Sequence, residues 1–345
     1  MVTNLSLRER ILCLLNRLPV PIFDAFVNVL LGRALMVCSS KGIFDVLHGS
    51  PRLAAEVGSK IGMSTRGVHV LLQTMEAAGY VVREGERFRN SRISERWLTK
   101  TSPHYIGNLL RYFERLFYRW EFLGETAQRG EPRKTYFEFF GDDDWEIYVY
   151  GMMDLARILM PQVLKTVSLP STAKRLLDIG GSHGLYSIEL CKRYQELSAE
   201  VLDFEKAVEV GRRITDKFGM SSRVVHRTGD FKNDDLGSGY DVVLAFNVIH
   251  GLKPLENLSL MKKIAAALNN GGVVFIMDQV RDGVSTSSLS RLIPAIVGLN
   301  LFNEIGGNAY TYGEIRDWCN EAGLVGCVEK KLRVPGVAVI QARKP

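Results

Sequence analysis

The chain has few cysteines: five in 345 residues, an odd number without paired spacing, with Cys38 and Cys191 in apolar runs. That excludes a disulfide framework or a cysteine-ligated metal as the organising principle, and leaves reduced packing residues. No metal site is expected. An excess of one charge is also missing. Lys and Arg number 44 against 38 Asp and Glu, a net +6 spread along the chain. Such a balance favours anionic partners only weakly and gives no reason to expect nucleic acid. The N-terminus shows no long uninterrupted apolar run, so neither a signal peptide nor a membrane span is expected, and a cytoplasmic setting follows. There is no repeat and no low-complexity tract. The length exceeds the size at which a single core usually splits, so two domains are expected.

Residues 175–184, Arg-Leu-Leu-Asp-Ile-Gly-Gly-Ser-His-Gly, carry the most information. The apolar run Leu176, Leu177, Ile179 ends in three glycines within five positions. A periodic segment follows at once, with Leu185, Ile188, Leu190 and Cys191 on one face. Strand, tight turn and helix in that order bring backbone N–H groups and a helix N-terminus close to a ligand. Three chemistries compete for this turn. The dinucleotide fingerprint G-x-G-x-x-G needs glycines where Ser182 and Leu185 stand, so a pyrophosphate fits poorly. Gly180-x-Ser182-x-Gly184 also matches the nucleophile elbow of α/β-hydrolases. That elbow should follow several strands, whereas residues 105–165 read as helical throughout. The third possibility is the D/E-x-G-x-G-x-G loop that binds S-adenosylmethionine, which Asp178-x-Gly180-x-Ser182-x-Gly184 fits with one small residue replacing a glycine.

Downstream acids separate these options. Val201-Leu202-Asp203-Phe204 ends about twenty residues beyond the glycines, where a second strand places a carboxylate on ribose hydroxyls. An ionised Asp accepts two hydrogen bonds from a vicinal diol. Thr228-Gly229-Asp230-Phe231 is another strand end, with an acid for an exocyclic amine and a ring for an adenine face. Each Asp alone would more commonly be a turn or cap residue. A fourth strand, Tyr240 to Ile249, runs into His250. A helix from about Leu255 to Leu268, the turn Asn269–Gly272 and the strand Val273–Met277 lead to Asp278. Alternating strands and helices indicate a parallel, doubly wound sheet, which binds ligands at the carboxyl ends of its strands.

Residues 175–345 thus resemble class I S-adenosylmethionine-dependent methyltransferases, and the whole chain resembles the small-molecule O-methyltransferases of the caffeate, hydroxyindole and bacterial natural-product kind. The family's L-x-D-x-G-G-G-x-G, F-D-x-P, G-D-F-F and V-L-H-D-W segments correspond in order and spacing to Leu177–Gly184, Leu202–Glu205, Gly229–Lys232 and Val248–Leu252. A Rossmann-like α/β methyltransferase sheet (166–345) is implied, behind a mainly helical winged-helix dimerisation domain (1–100) and an aromatic-rich helical connection (101–165). The resemblance implies that S-adenosylmethionine is held by Gly180, Ser182, Asp203, Phe204, Asp230, Phe231 and Phe246. It implies His250 as general base oriented by Asp278, and Met152 against the ring of a small aromatic acceptor. The chemistry agrees: displacement at a sulfonium needs alignment and the removal of one hydroxyl proton, which a histidine backed by a carboxylate supplies. His183 reads as incidental, and His48, His69, His104 and His226 have no partner that marks them out.

Residues 34–96 show another pattern. Helices around 34–47, 53–58 and 66–78, a turn at Gly62-Met63-Ser64 with Ser64 as N-cap, and a hairpin about Glu84-Gly85-Glu86 make a winged helix-turn-helix. A DNA-reading role would want polar side chains on the third helix, which is largely apolar. The wing arginines Arg83, Arg87, Arg89, Arg92 and Arg96 are interleaved with Glu84, Glu86 and Glu95. A DNA-binding regulator is therefore the weaker alternative. In the resembled family this domain forms an intertwined homodimer, which the apolar positions Leu14, Leu15, Ile22, Phe23, Phe26, Val29, Leu30 and Leu31 suit. Two departures stand out: Gly251-Leu252 replace the family's Asp-Trp, and Ala309 stands where its second glutamate would be. Transfer to nitrogen or carbon, or a non-methylating reaction on the same fold, is the other alternative.

Overall fold

The computed structural model describes residues 7–15, 17–281 and 288–345. The chain divides into two compact units, one ending at Phe117 and one running from Tyr118 to Pro345. The break falls inside the aromatic-rich connection.

In the first unit, helices Ala54–Ile61 and Thr65–Ala77 are joined by a turn in which Gly62 takes φ +69. Ser64 caps the second helix, its Oγ accepting from Gly67 N–H at 3.1 Å. Strands β1 (Val81–Glu84) and β2 (Arg87–Asn90) form the wing around Gly85. Phe44, Val57, Val68, Leu72, Met75 and Phe88 are fully buried beneath it. Wing charge is partly answered by neighbours, Arg87 pairing with Glu56 at 3.0 Å and Arg89 with Glu84. One expectation needs correction. The helix Val20–Ser40 is long and apolar enough to cross a membrane by length and composition, because Asp24 and Arg33 do not offset its leucines and valines. One stripe of its apolar side chains lies in the open: Ile22, Phe26 and Leu30, four residues apart, are 58%, 62% and 51% exposed, while Leu31, Ala34 and Leu35 pack on the core.

The second unit is built on seven strands: β3 (Arg175–Ile179), β4 (Ser198–Asp203), β5 (Val224–Thr228), β6 (Tyr240–Phe246), β7 (Leu268–Gln279), β8 (Val325–Lys331) and β9 (Val337–Arg343). Their order is β5-β4-β3-β6-β7-β9-β8. β3 to β7 run parallel, while β9 and β8 close the edge antiparallel. The sheet is therefore mixed rather than wholly parallel, since Pro335 and Gly336 (φ +78) let β8 turn back on β9 without a crossover helix. The pleat sorts the core: Leu176, Val201, Leu244 and Phe275 face helices Asp142–Thr166, Leu185–Arg193 and Glu205–Lys217. Leu177, Leu202, Val243 and Ile276 face helices Pro254–Ala267 and Tyr312–Glu321.

Two strand ends differ from the sequence pattern. β6 stops at Phe246, because Asn247 turns left-handed at φ +56 and residues Ile249–Gly251 form a short 3₁₀ turn. Asn is among the few non-glycine residues that tolerate this region. The expected turn at 269–272 exists as an excursion within β7, where pairing jumps from Tyr240–Leu268 to Val242–Val273.

β3 lies at the centre, between β4 on one side and β6 on the other, which is where the chain reverses direction across the sheet. Such a switch point leaves a crevice at the strand ends. The glycine turn after β3 lies there, and a glycine in the middle of helix Glu205–Lys217 supports it. A Cβ on Gly211 would fall 2.3 Å from the Ser182 carbonyl oxygen and 2.4 Å from His226 Nε2. Helix propensity alone would favour Ala there by about 1 kcal/mol. Gly211→Ala is nonetheless expected to lose about 1–3 kcal/mol, as overpacking against backbone does. A thermal midpoint at or above that of the unsubstituted protein would refute this.

Candidate functional site

Three residues of the turn, Gly180 (φ +64), Ser182 (φ +32) and Gly184 (φ +65), occupy the left-handed region. At Gly181 the obstacle is contact: a Cβ would sit 2.5 Å from the Asp178 carboxyl carbon. Gly180, Gly181 and Gly184 are thus bare backbone by necessity. The Ser182 N–H points back to Asp203 Oδ2 at 2.9 Å, and Phe204 N–H donates to Asp203 Oδ1 at 2.7 Å. Asp178, 1% exposed, accepts from Ser187 Oγ at 2.7 Å through Oδ2, while its buried Oδ1 has no partner.

The charge balance behind the turn is unusual. Burial pushes Asp178 up to about 7, and the neighbouring Asp203 carboxylate adds to the shift. Desolvation likewise lifts Asp203 to about 6, against two backbone hydrogen bonds that lower it. Two imidazoles lie beneath, and neither offsets these charges. His183 is buried, with Nδ1 accepting from Leu185 N–H at 3.0 Å, and desolvation depresses it to about 3. His226, also buried, meets the Ser182 carbonyl through Nε2 at 3.1 Å and is depressed to about 4. Both rings stay neutral near pH 7. Two neighbouring carboxylates, when ionised, favour a positively charged ligand and oppose a pyrophosphate. That electrostatic preference fits a sulfonium cofactor, and the glycines of the turn give its body room to approach.

A hollow at the turn is lined by Tyr148, Met152, Asp178, Gly180, Ser182, His183, Tyr186, Phe246 and Asn247 among others. Met152, Gly180, Ser182 and Phe246 are therefore brought together. Asp203 joins them through the Ser182 amide. Phe204 closes an aromatic group, its ring centroid 5.8 Å from Phe137 and 6.3 Å from Trp145, with Phe137 and Trp145 stacked at 5.4 Å. Asp230 and Phe231 do not line the hollow. Asp230 accepts from Lys232 N–H (2.9 Å) and Asn233 Nδ2 (2.7 Å) in its own turn, and Phe231 packs on the sheet core.

His250 and Asp278 meet as their positions suggest. His250 Nδ1 lies 2.7 Å from Asp278 Oδ1, and the His250 amide donates to Oδ2 at 3.3 Å. Asp278 is fully buried at the end of β7, where Gln279 N–H adds a bond of 2.8 Å. This fixes the ring and leaves Nε2 as the nitrogen available to an acceptor. Sequence reasoning gave no site role to Asp178, His183, Tyr186, Asn247 and His226. Only Asp178 carried a signal, as the first residue of the glycine motif. His226 is corrected most directly, since its partner, the Ser182 carbonyl, lies 44 residues away in sequence.

A sequence profile of the O-methyltransferase domain matches residues 125–325. The chain is 26% identical to 3-hydroxy-5-methyl-1-naphthoate 3-O-methyltransferase of Streptomyces sahachiroi, over 88% of this chain and 89% of that protein. It is also 26% identical to the tetracenomycin polyketide synthesis 8-O-methyl transferase TcmO of Streptomyces glaucescens, over 91% of this chain and 93% of that protein. In structure it is similar to human N-acetylserotonin methyltransferase in complex with SAM, with a TM-score of 0.84, 21% identity and coverage of 100% and 99%.

The acid pair makes cofactor affinity depend on pH. A cationic ligand binds the ionised carboxylates, so affinity is expected to rise as pH climbs through about 6 to 7 and to level off above. Titration calorimetry with S-adenosylmethionine between pH 5.5 and 8 should show proton release on binding near pH 6.5. An affinity flat across that range would sink the electrostatic account.

Proposed function

The chain belongs to the O-methyltransferase family, and from that premise we propose that it methylates a hydroxyl of a small aromatic metabolite. The observation that carries the reading is the His250–Asp278 dyad at 2.7 Å, on the same sheet edge as the glycine turn. Bound at that turn, S-adenosylmethionine supplies an electrophilic methyl group. We assign its contacts to Gly180, Ser182, Asp203, Phe204 and Phe246, with Asp230 and Phe231 toward the adenine. Asp230 would need spare acceptor capacity beyond its two local bonds, which a carboxylate has.

His250 Nε2 takes the acceptor's hydroxyl proton as the oxygen becomes a nucleophile, and Asp278 stabilises the imidazolium that results. Met152, in the wall of the hollow, packs on the acceptor ring. With Ala309 in place of a second acid, the dyad carries proton removal alone. His250→Ala is expected to lower turnover roughly 10²–10⁴-fold with cofactor affinity nearly intact. Asp278→Asn should be milder, because a partner for Nδ1 remains while the charge is lost. If turnover of His250→Ala stays within a few-fold, the hydroxyl proton leaves by another route.

The assembly proposed is a cytoplasmic homodimer formed through the first unit. The stripe Ile22, Phe26, Leu30 supports it, since apolar surface of that kind is stable in water only when covered. Phe26→Asp combined with Leu30→Asp should convert a sedimenting dimer to monomer. An unchanged sedimentation coefficient would count against the assignment.

A further inference from the structure

On the other side of the segment that supports His250 lies a cavity of about 1080 Å³. It shares no lining residue with the hollow at the glycine turn. Helix Ser288–Ile305 forms one of its walls. Pro294, Gly298 and Phe302, four residues apart, face the cavity. Asn300 and Asn303 lie on the opposite side, bonded to Trp120 Nε1 at 2.9 Å and to the Arg119 carbonyl at 3.3 Å. The cavity is thus a separate compartment. The segment between it and the dyad is thin: Asn308 N–H donates to the His250 carbonyl at 2.8 Å, and a Cβ on Gly307 would meet that oxygen at 2.2 Å.

The lining has a marked charge bias. Lys253, Arg281, Arg291, Lys331 and Arg333 border the cavity, and Glu329 is the one carboxylate among its described lining residues. The chain as a whole is nearly balanced, at 44 basic to 38 acidic residues. Arg281 has Glu314 at 3.5 Å and Lys331 has Glu329 at 3.9 Å. Arg291 and Arg333 show no carboxylate partner for their side chains among the described residues, whereas Lys253 has Glu256 close enough to lower that carboxyl's pKa. Below this basic rim the surface is apolar, with Val280, Leu332 and Val334 beside Phe302. A concave apolar floor with a few converging charges is the form of a small-molecule site, and guanidinium groups suit a planar carboxylate.

We propose that this cavity is a second ligand site, which takes a small aromatic carboxylate with its anionic head at Arg291 and Arg333 and its ring on the apolar floor. It goes beyond methyl transfer and does not depend on it, because it is read by binding alone. The probe is 1-naphthoate, titrated calorimetrically into the full chain saturated with S-adenosylmethionine. One saturable site per chain is expected, with 1-naphthamide, the same body without the charge and without a hydroxyl to methylate, at least ten-fold weaker. Arg291→Glu combined with Arg333→Glu should weaken 1-naphthoate at least ten-fold and leave S-adenosylmethionine affinity within two-fold. Naphthoate affinity unchanged in the double variant would place the probe elsewhere and overturn the proposal. Equal affinity for 1-naphthamide in the unsubstituted protein would overturn it without recourse to any variant.

Discussion

The turn after β3 can exist only because its glycines leave nothing but backbone where neighbouring elements press closest, and much of the second unit is arranged around that restriction. From below, Gly211 admits the Ser182 carbonyl and His226 holds it. From the strand side, Asp178 fills the space a Cβ at Gly181 would need, and Asp203 takes the Ser182 amide. Each support comes from a different element: helix Glu205–Lys217, β5, β3 and β4. The turn is therefore a tertiary object, although it reads as a local motif.

The same supports set the electrostatics. A buried carboxylate is costly unless it is paired, and here two are kept close together while both nearby imidazoles remain neutral. A cationic ligand relieves that cost. Across the switch point the dyad uses the opposite arrangement, with a fully buried Asp278 directly bonded to the ring it orients. The two halves of the site thus differ in charge, with acids at the glycine turn and a carboxylate-bonded imidazole at the dyad. Asn247 joins them: its left-handed backbone ends β6, its amide bonds the Met277 carbonyl at 2.7 Å on the neighbouring strand, and it lines the cofactor hollow.

The departures from the resembled family meet around His250. Gly251 lies where a Cβ would approach Ile305 at 3.3 Å, and Ala309 places a methyl where a carboxylate is common. On that side Asn308 N–H holds the His250 main-chain carbonyl, Gly307 leaves room for it, and the basic cavity borders the same segment.

The sequence by itself determined the alternating strands and helices of the parallel part of the sheet, the winged helix and the glycine turn, and the resemblance it carries implied the pairing of His250 with Asp278. Each of these is written in short-range signals: apolar periodicity, glycine at positive φ, and acids at strand ends. Tertiary structure decided what depends on contact between distant segments. The antiparallel β8–β9 edge, the end of β6 at Asn247 and the burial of His183 and His226 leave no periodic mark, because a single side chain's environment comes from elements tens of residues away. The same holds for Asp230, whose carboxylate a local pattern assigns to a ligand and the folded chain shares with its own turn. Periodicity records which face of an element is covered, whereas only the folded packing shows which residue covers it, and therefore which charges are left without a partner.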